Sequence, residues 1–118
     1  MDETRRDHLA RAGVDVEEAL ERFMGSEALL LKFLLRFPAD ENFPKLRQAM
    51  AGRDAAAAFS AAHTLKGVAG NLSLKSLYGL LVPLVEDLRR GDLAAAAGRM
   101  PSLAAEYAQI TAALGQLS

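Results

Sequence analysis

Residues 54–72, DAAAAFSAAHTLKGVAGNL, decide the fold. On a helical wheel of about 100° per residue, Ala58, Ala61, Leu65, Val68, Ala69 and Leu72 share one arc, the core face of a predicted helix. Gly52-Arg53 reads as the stop of the preceding element, and Asp54 as the N-cap of this one. His63 points almost opposite to the apolar arc, with Ala56, Phe59, Ser60, Lys66, Gly67 and Gly70 around it on the outer face. A mid-helix Gly costs about 1 kcal/mol relative to Ala, so two in one helix need a reason. Lacking side chains, Gly67 and Gly70 would bare the imidazole to something large.

The same punctuation recurs on both sides of this stretch. Downstream, Ser73 is expected to cap a helix that runs to Arg89-Arg90, cations suited to a helix C-terminus, and stops at Gly91. Asp92 caps the last helix, with Leu93, Ala97, Met100, Ala104, Tyr107, Ile110 and Leu114 at spacings of three or four. Pro101 should bend that helix or split it after its first two turns. Upstream, Ser26 caps a helix whose Leu29, Leu30, Phe33, Leu34 and Phe37 form a core stripe. Leu31 and Leu35 fall outside that stripe and require cover, for which a short N-terminal helix is the candidate. Pro38 and Pro44 leave 26–50 as either two nearly collinear pieces or one kinked helix. Asp15 followed by Glu18 predicts a capping box, and the stripe Ala19, Leu20, Phe23 and Met24 then ends at Gly25.

Connections of a few residues force the last three helices to be antiparallel neighbours. The expected fold is therefore all-α: an up-down four-helix bundle with a short N-terminal helix packed against it, one domain over residues 1–118. Composition agrees, because Ala and Leu fill 23 and 20 positions while Val, Ile and Thr fill 5, 1 and 3. The absence of Cys excludes disulfides, thiolate metal sites and a Cys nucleophile. A formal charge of −1 gives no general attraction to nucleic acid or anionic lipid. The polar start lacks a signal-peptide core, and no apolar run approaches a membrane span, so the expected location is the cytoplasm.

A solvent-facing His, cleared of bulk and with Lys66 one turn away, suits an imidazole that carries a phosphoryl group. Neutral imidazole is a competent nucleophile near pH 7, and Lys can offset phosphoryl charge as a point cation. The run Ala62-His63-Thr64-Leu65-Lys66-Gly67-Val68-Ala69-Gly70-Asn71-Leu72 closely resembles the histidine-phosphotransfer (HPt) domains of two-component phosphorelays. The resemblance extends from about Val14 to Leu114 and includes Gly52-Arg53-Asp54 and the Leu77, Leu84, Glu86 and Leu88 spacing. It implies that His63 is phosphorylated, that Lys66 stabilises the phosphate and that Gly67 is the gap admitting the partner. The chain departs from the family at Ser73, where most members have Gly, and at the prolines 38, 83 and 101.

The resemblance further implies a four-helix bundle that shuttles phosphate to and from receiver-domain aspartates. The expected partners are a response-regulator receiver and a hybrid sensor histidine kinase, with the chain acting as a monomer. Gly70, Ser60 and Thr64 join the candidate access and partner surface, and Phe59 reads equally as core margin or docking contact. No phosphate-binding Gly-rich loop, metal-ligand cluster or hydrolytic dyad is present in the sequence. The expectation is thus a phosphocarrier without enzymatic activity or cofactor of its own, any Mg²⁺ being held by the receiver. Two alternatives stand beside it: a non-phosphorylated adaptor for receivers, and the phosphoacceptor domain of a chemotaxis-type kinase. Against the second, such a kinase would be expected to continue past Ser118 into dimerisation and ATP-binding domains. His8, in the polar N-terminus, reads as an ordinary surface residue.

Overall fold

The computed structural model describes residues 1–117, and every regular element in it is helical. In chain order these are α1 (Glu3–Arg11), α2 (Val16–Arg22), α3 (Glu27–Arg36), α4 (Asn42–Ala51), α5 (Ala55–Asn71), α6 (Lys75–Arg89) and α7 (Leu93–Gly115). A 3₁₀ turn, Phe37–Ala39, separates α3 from α4. Helices α4 to α7 pack consecutively, each against the next, and α3 with the 3₁₀ turn closes the bundle against α7. The four-helix plan is therefore met, with α3 and α4 together supplying its first rod.

The caps that depend on local spacing form as expected. Asp15, Ser26, Asp54 and Asp92 each accept a hydrogen bond from the backbone N–H three residues on. Pro38 lies at the start of the 3₁₀ turn, and Pro44 is the third residue of α4. Both occupy first-turn positions, where a missing N–H breaks no intrahelical bond, so 26–50 is two helices joined by a turn. Helix α7 runs unbroken through Pro101, so of the two expected outcomes, a bend or a split, the split does not occur.

One continuous core runs through the bundle, with Leu30, Leu34, Leu46, Leu65, Leu77, Leu81, Leu84, Leu103, Ile110 and Leu114 fully buried. The face of α7 is set by Ala96, Leu103, Ile110 and Leu114, whereas Ala97 is exposed. A spacing of three from Met100 reaches Leu103 as readily as a spacing of four reaches Ala104, which is how the wheel passed over it. Across α3 and the 3₁₀ turn the core stripe narrows to Leu30, Leu34 and Phe37, while Leu29, Phe33 and Leu35 are about 40% exposed. Leu31 packs partly against the core, whereas Leu35 stays outside it and remains largely exposed. Met24, expected in the stripe of the N-terminal helix, is 94% exposed, because the chain turns there through a left-handed φ of 55°.

The N-terminal region holds two helices where one was expected. Helix α1 is capped by Asp2 and buries little besides Leu9, so its sequence carries no apolar periodicity. It lies against α7 and α2. His8 within it is only partly exposed, and its Nε2 is buried without a hydrogen-bond partner among the described residues. Between α6 and α7, the buried carboxylate of Asp87 accepts from Arg90 and from Arg99, joining the two helices across their turn.

Ser73 is not the cap of α6. It is the left-handed residue that ends α5, with φ 53°, 1% exposed, followed by Leu74 as an N-cap that makes no side-chain bond. Its N–H donates to the Gly70 carbonyl and the Leu74 N–H to the Ala69 carbonyl, the paired reversal that commonly ends a helix on Gly. The α1–α2 link supplies what the missing cap would. The Lys75 N–H donates to the Gly13 carbonyl and the Asp15 N–H to the Ser73 carbonyl, both at 2.9 Å. Ser73 Oγ donates to Glu18 Oε1 at 3.0 Å, and Lys75 Nζ pairs with Glu18 Oε2 at 2.6 Å. Glu18 thus serves this turn instead of closing a capping box on Asp15.

Candidate functional site

Helix α5 lies between α4 and α6, and its small residues make that possible. Ala58, Ala61, Ala62, Leu65 and Ala69 are buried, Ala62 being a core position that the wheel left out. Only a narrow outer strip faces solvent. His63, Ser60, Thr64 and Gly67 lie on it exposed, with Phe59, Lys66, Val68 and Gly70 half-buried at its margins. Thr64 Oγ1 donates to the Ser60 carbonyl one turn back, at 3.0 Å.

The imidazole of His63 is free of hydrogen bonds among the described residues and stacks on the Phe59 ring, centroids 5.7 Å apart and planes 14° apart. Phe59 also packs partly against the core, so it belongs to the margin and to the site surface together. The guanidinium of Arg89, from α6, lies over the same Phe59 ring at 5.1 Å.

The two glycines part company. A Cβ built on Gly67 would meet nothing within 4 Å. One on Gly70 would touch the Tyr78 ring at 3.4 Å, so that space is filled from α6 and does not bare the imidazole. Gly67, one turn beyond His63, is the open position.

Lys66 borders a groove with Gly67, Gly70 and Asn71 on one side and Glu18, Arg22, Lys75 and Tyr78 on the other. Glu18, the groove's only carboxylate among the described residues, is occupied by Lys75 at 2.6 Å and Arg22 at 3.3 Å. Those contacts hold its carboxyl below the usual range, the Lys75 hydrogen bond first and that of Ser73 next. Lys66 forms no ion pair among the described residues, which leaves its charge available to an incoming anion.

An apolar groove, absent from the sequence reading, adjoins this one at Asn71. Phe23, Phe33, Phe37, Val68 and Leu72 line it, with Phe23 and Phe33 tilted against each other at 5.6 Å. The stripe through α3 placed Phe33 wholly in the core; its 40% exposure is the signal that a periodic pattern does not carry. Among the described residues, no group of three or more His, Asp or Glu is placed to hold a metal ion. No helix there is long and apolar enough to cross a membrane.

Comparison with known proteins adds one finding. A family model described as Hpt domain matches residues 34–117, from the last turn of α3 to the end of α7. No curated protein and no solved structure matches the chain.

Proposed function

Since the chain belongs to the Hpt domain family, whose members are phosphocarrier modules of two-component signalling rather than kinases, we propose that His63 is its phosphoacceptor. In the uptake direction, the lone pair of one ring nitrogen forms a bond to phosphorus while the P–O bond to a receiver aspartate breaks. The aspartate leaves as a carboxylate with the bonding pair. The proton on the second ring nitrogen stays there until water takes it, and donation to a receiver is the reverse. Lys66 offsets the charge that arrives on the imidazole, and Mg²⁺ stays with the receiver.

One observation carries this reading: the open space over Gly67, one turn from an exposed imidazole. An adaptor that bound receivers without taking phosphate would have no need to keep a costly glycine there. Ser60 and Thr64 flank the approach, and the apolar groove around Phe33 offers a receiver contact beyond the phosphate itself. The chain acts as a cytoplasmic monomer between a hybrid kinase and a response regulator, without catalysis of its own. The test is incubation with a receiver domain carrying labelled aspartyl phosphate. Label should move to this chain in an acid-labile, base-stable form, as phosphate on a ring nitrogen does. Receiver binding without such label would favour the adaptor.

A further inference from the structure

We infer that Phe59 is a positioning residue for His63, held in place by Arg89, an inference that rests on the phosphoacceptor reading of His63. Phe59 lies one turn before His63 on α5. Side chains on a helix lean toward its N-terminus, so the imidazole at 63 is directed over the turn that carries residue 59. There it meets a ring plane only 14° from its own, at 5.7 Å between centroids. No hydrogen bond orients the imidazole among the described residues, so the stack is what fixes its plane.

Phe59 in turn is held from two sides. Its inner edge packs on the core, and the Arg89 guanidinium lies 5.1 Å from its centroid. Arg89 Nε is itself tied to Glu86 Oε1 at 3.3 Å. A chain of contacts therefore runs from α6 through Phe59 to the imidazole. Transfer at phosphorus requires the attacking lone pair to lie in line with the breaking P–O bond. An imidazole free to rotate about two side-chain torsions would meet that condition rarely. Phe59 makes no bond in the transfer; it holds the ring plane from which the lone pair is directed. The dipole-matched helix terminus that Arg89 also provides would not need it to lie over an aromatic ring.

The test compares wild type, Phe59→Leu, Phe59→Tyr and Arg89→Met for transfer from a phosphorylated receiver, receiver affinity and the ring-proton NMR shifts of His63. Phe59→Leu should slow transfer about tenfold at unchanged receiver affinity. The upfield displacement of the His63 ring protons, caused by the stacked phenyl ring, should disappear with it. Phe59→Tyr should restore both, and Arg89→Met should fall between. Should Phe59→Leu not fold, the Phe59→Tyr and Arg89→Met pair decides, because an Arg89→Met rate and shift equal to wild type overturn the chain of contacts. Wild-type uptake with Phe59→Leu equally fast, or with unmoved ring-proton shifts, overturns the positioning role alone. A wild-type protein that takes up no phosphate overturns the phosphoacceptor reading, and this inference with it.

Discussion

Gly67 and Gly70 are three residues apart on one helix, yet only the first opens onto empty space. A Cβ at 67 would meet nothing within 4 Å, and a longer side chain there would lean back toward the imidazole. Gly67→Ala should therefore stabilise the free protein by up to about 1 kcal/mol, since it removes a mid-helix glycine at no steric cost. Gly67→Leu should remain folded, with a thermal midpoint no lower than wild type, and lose most of its transfer rate. Melting curves and transfer rates on the same samples check this, and a destabilised Gly67→Leu of normal activity would contradict it. Lys66, without an ion-pair partner among the described residues, gives a companion expectation. Lys66→Ala should slow transfer with the melting temperature unchanged, and Lys66→Glu should slow it further by like-charge repulsion. Equal rates for Lys66→Glu and wild type would make Lys66 an ordinary surface residue.

The α5–α6 turn fixes how the site's helix meets the N-terminal region. Ser73 adopts a left-handed conformation that glycine takes freely, and its hydroxyl reaches Glu18 in compensation. Ser73→Ala keeps the backbone strain and loses the hydrogen bond, so it should destabilise by about 1–2 kcal/mol in denaturant titrations. Ser73→Gly trades the same bond for relief of strain and should be close to neutral. Glu18 gives this turn a pH dependence. Its carboxyl is held below its ordinary value of 4.5 by Lys75 and Ser73, so the native state binds its proton less readily than the unfolded chain. The stabilisation is fully present above the ordinary value and is lost as pH falls through the lower native one. Glu18→Gln should thus melt below wild type at pH 7, with the gap closing only as pH falls below the ordinary value of 4.5. A gap that is constant from pH 7 to pH 3 would contradict it. Elements of this kind mark the limit of reading a sequence. The Asp15, Ser26, Asp54 and Asp92 caps were legible because each acts on an N–H three residues away. Ser73 was misread because its role is defined by Gly13, Asp15 and Glu18, which the fold brings to it from far along the chain. Helix α1 was missed because it buries little besides Leu9.

Across the whole molecule, the alanines that let α4 and α6 close on α5 also explain why the site is a strip rather than a pocket. The outer-face position of His63 followed directly from helical periodicity, as did the exposure of Gly67. What the wheel did not carry was depth. It could not distinguish the filled space at Gly70 from the open one at Gly67, nor find the half-exposed aromatics around Phe33, because both depend on neighbouring helices. Among the described residues, the outer strip of α5 presents an exposed imidazole at His63 and, one turn on, the cation of Lys66 without an ion-pair partner. Intact mass spectrometry of wild type and His63→Gln after incubation with a phosphorylated receiver tests that claim most directly. Wild type should gain the mass of a single phosphoryl group and lose it when unphosphorylated receiver and Mg²⁺ are added. His63→Gln should gain nothing while melting within about 0.5 kcal/mol of wild type, since no core contact is removed. A phosphoryl group that still appears on His63→Gln, or that maps to His8, would contradict the account.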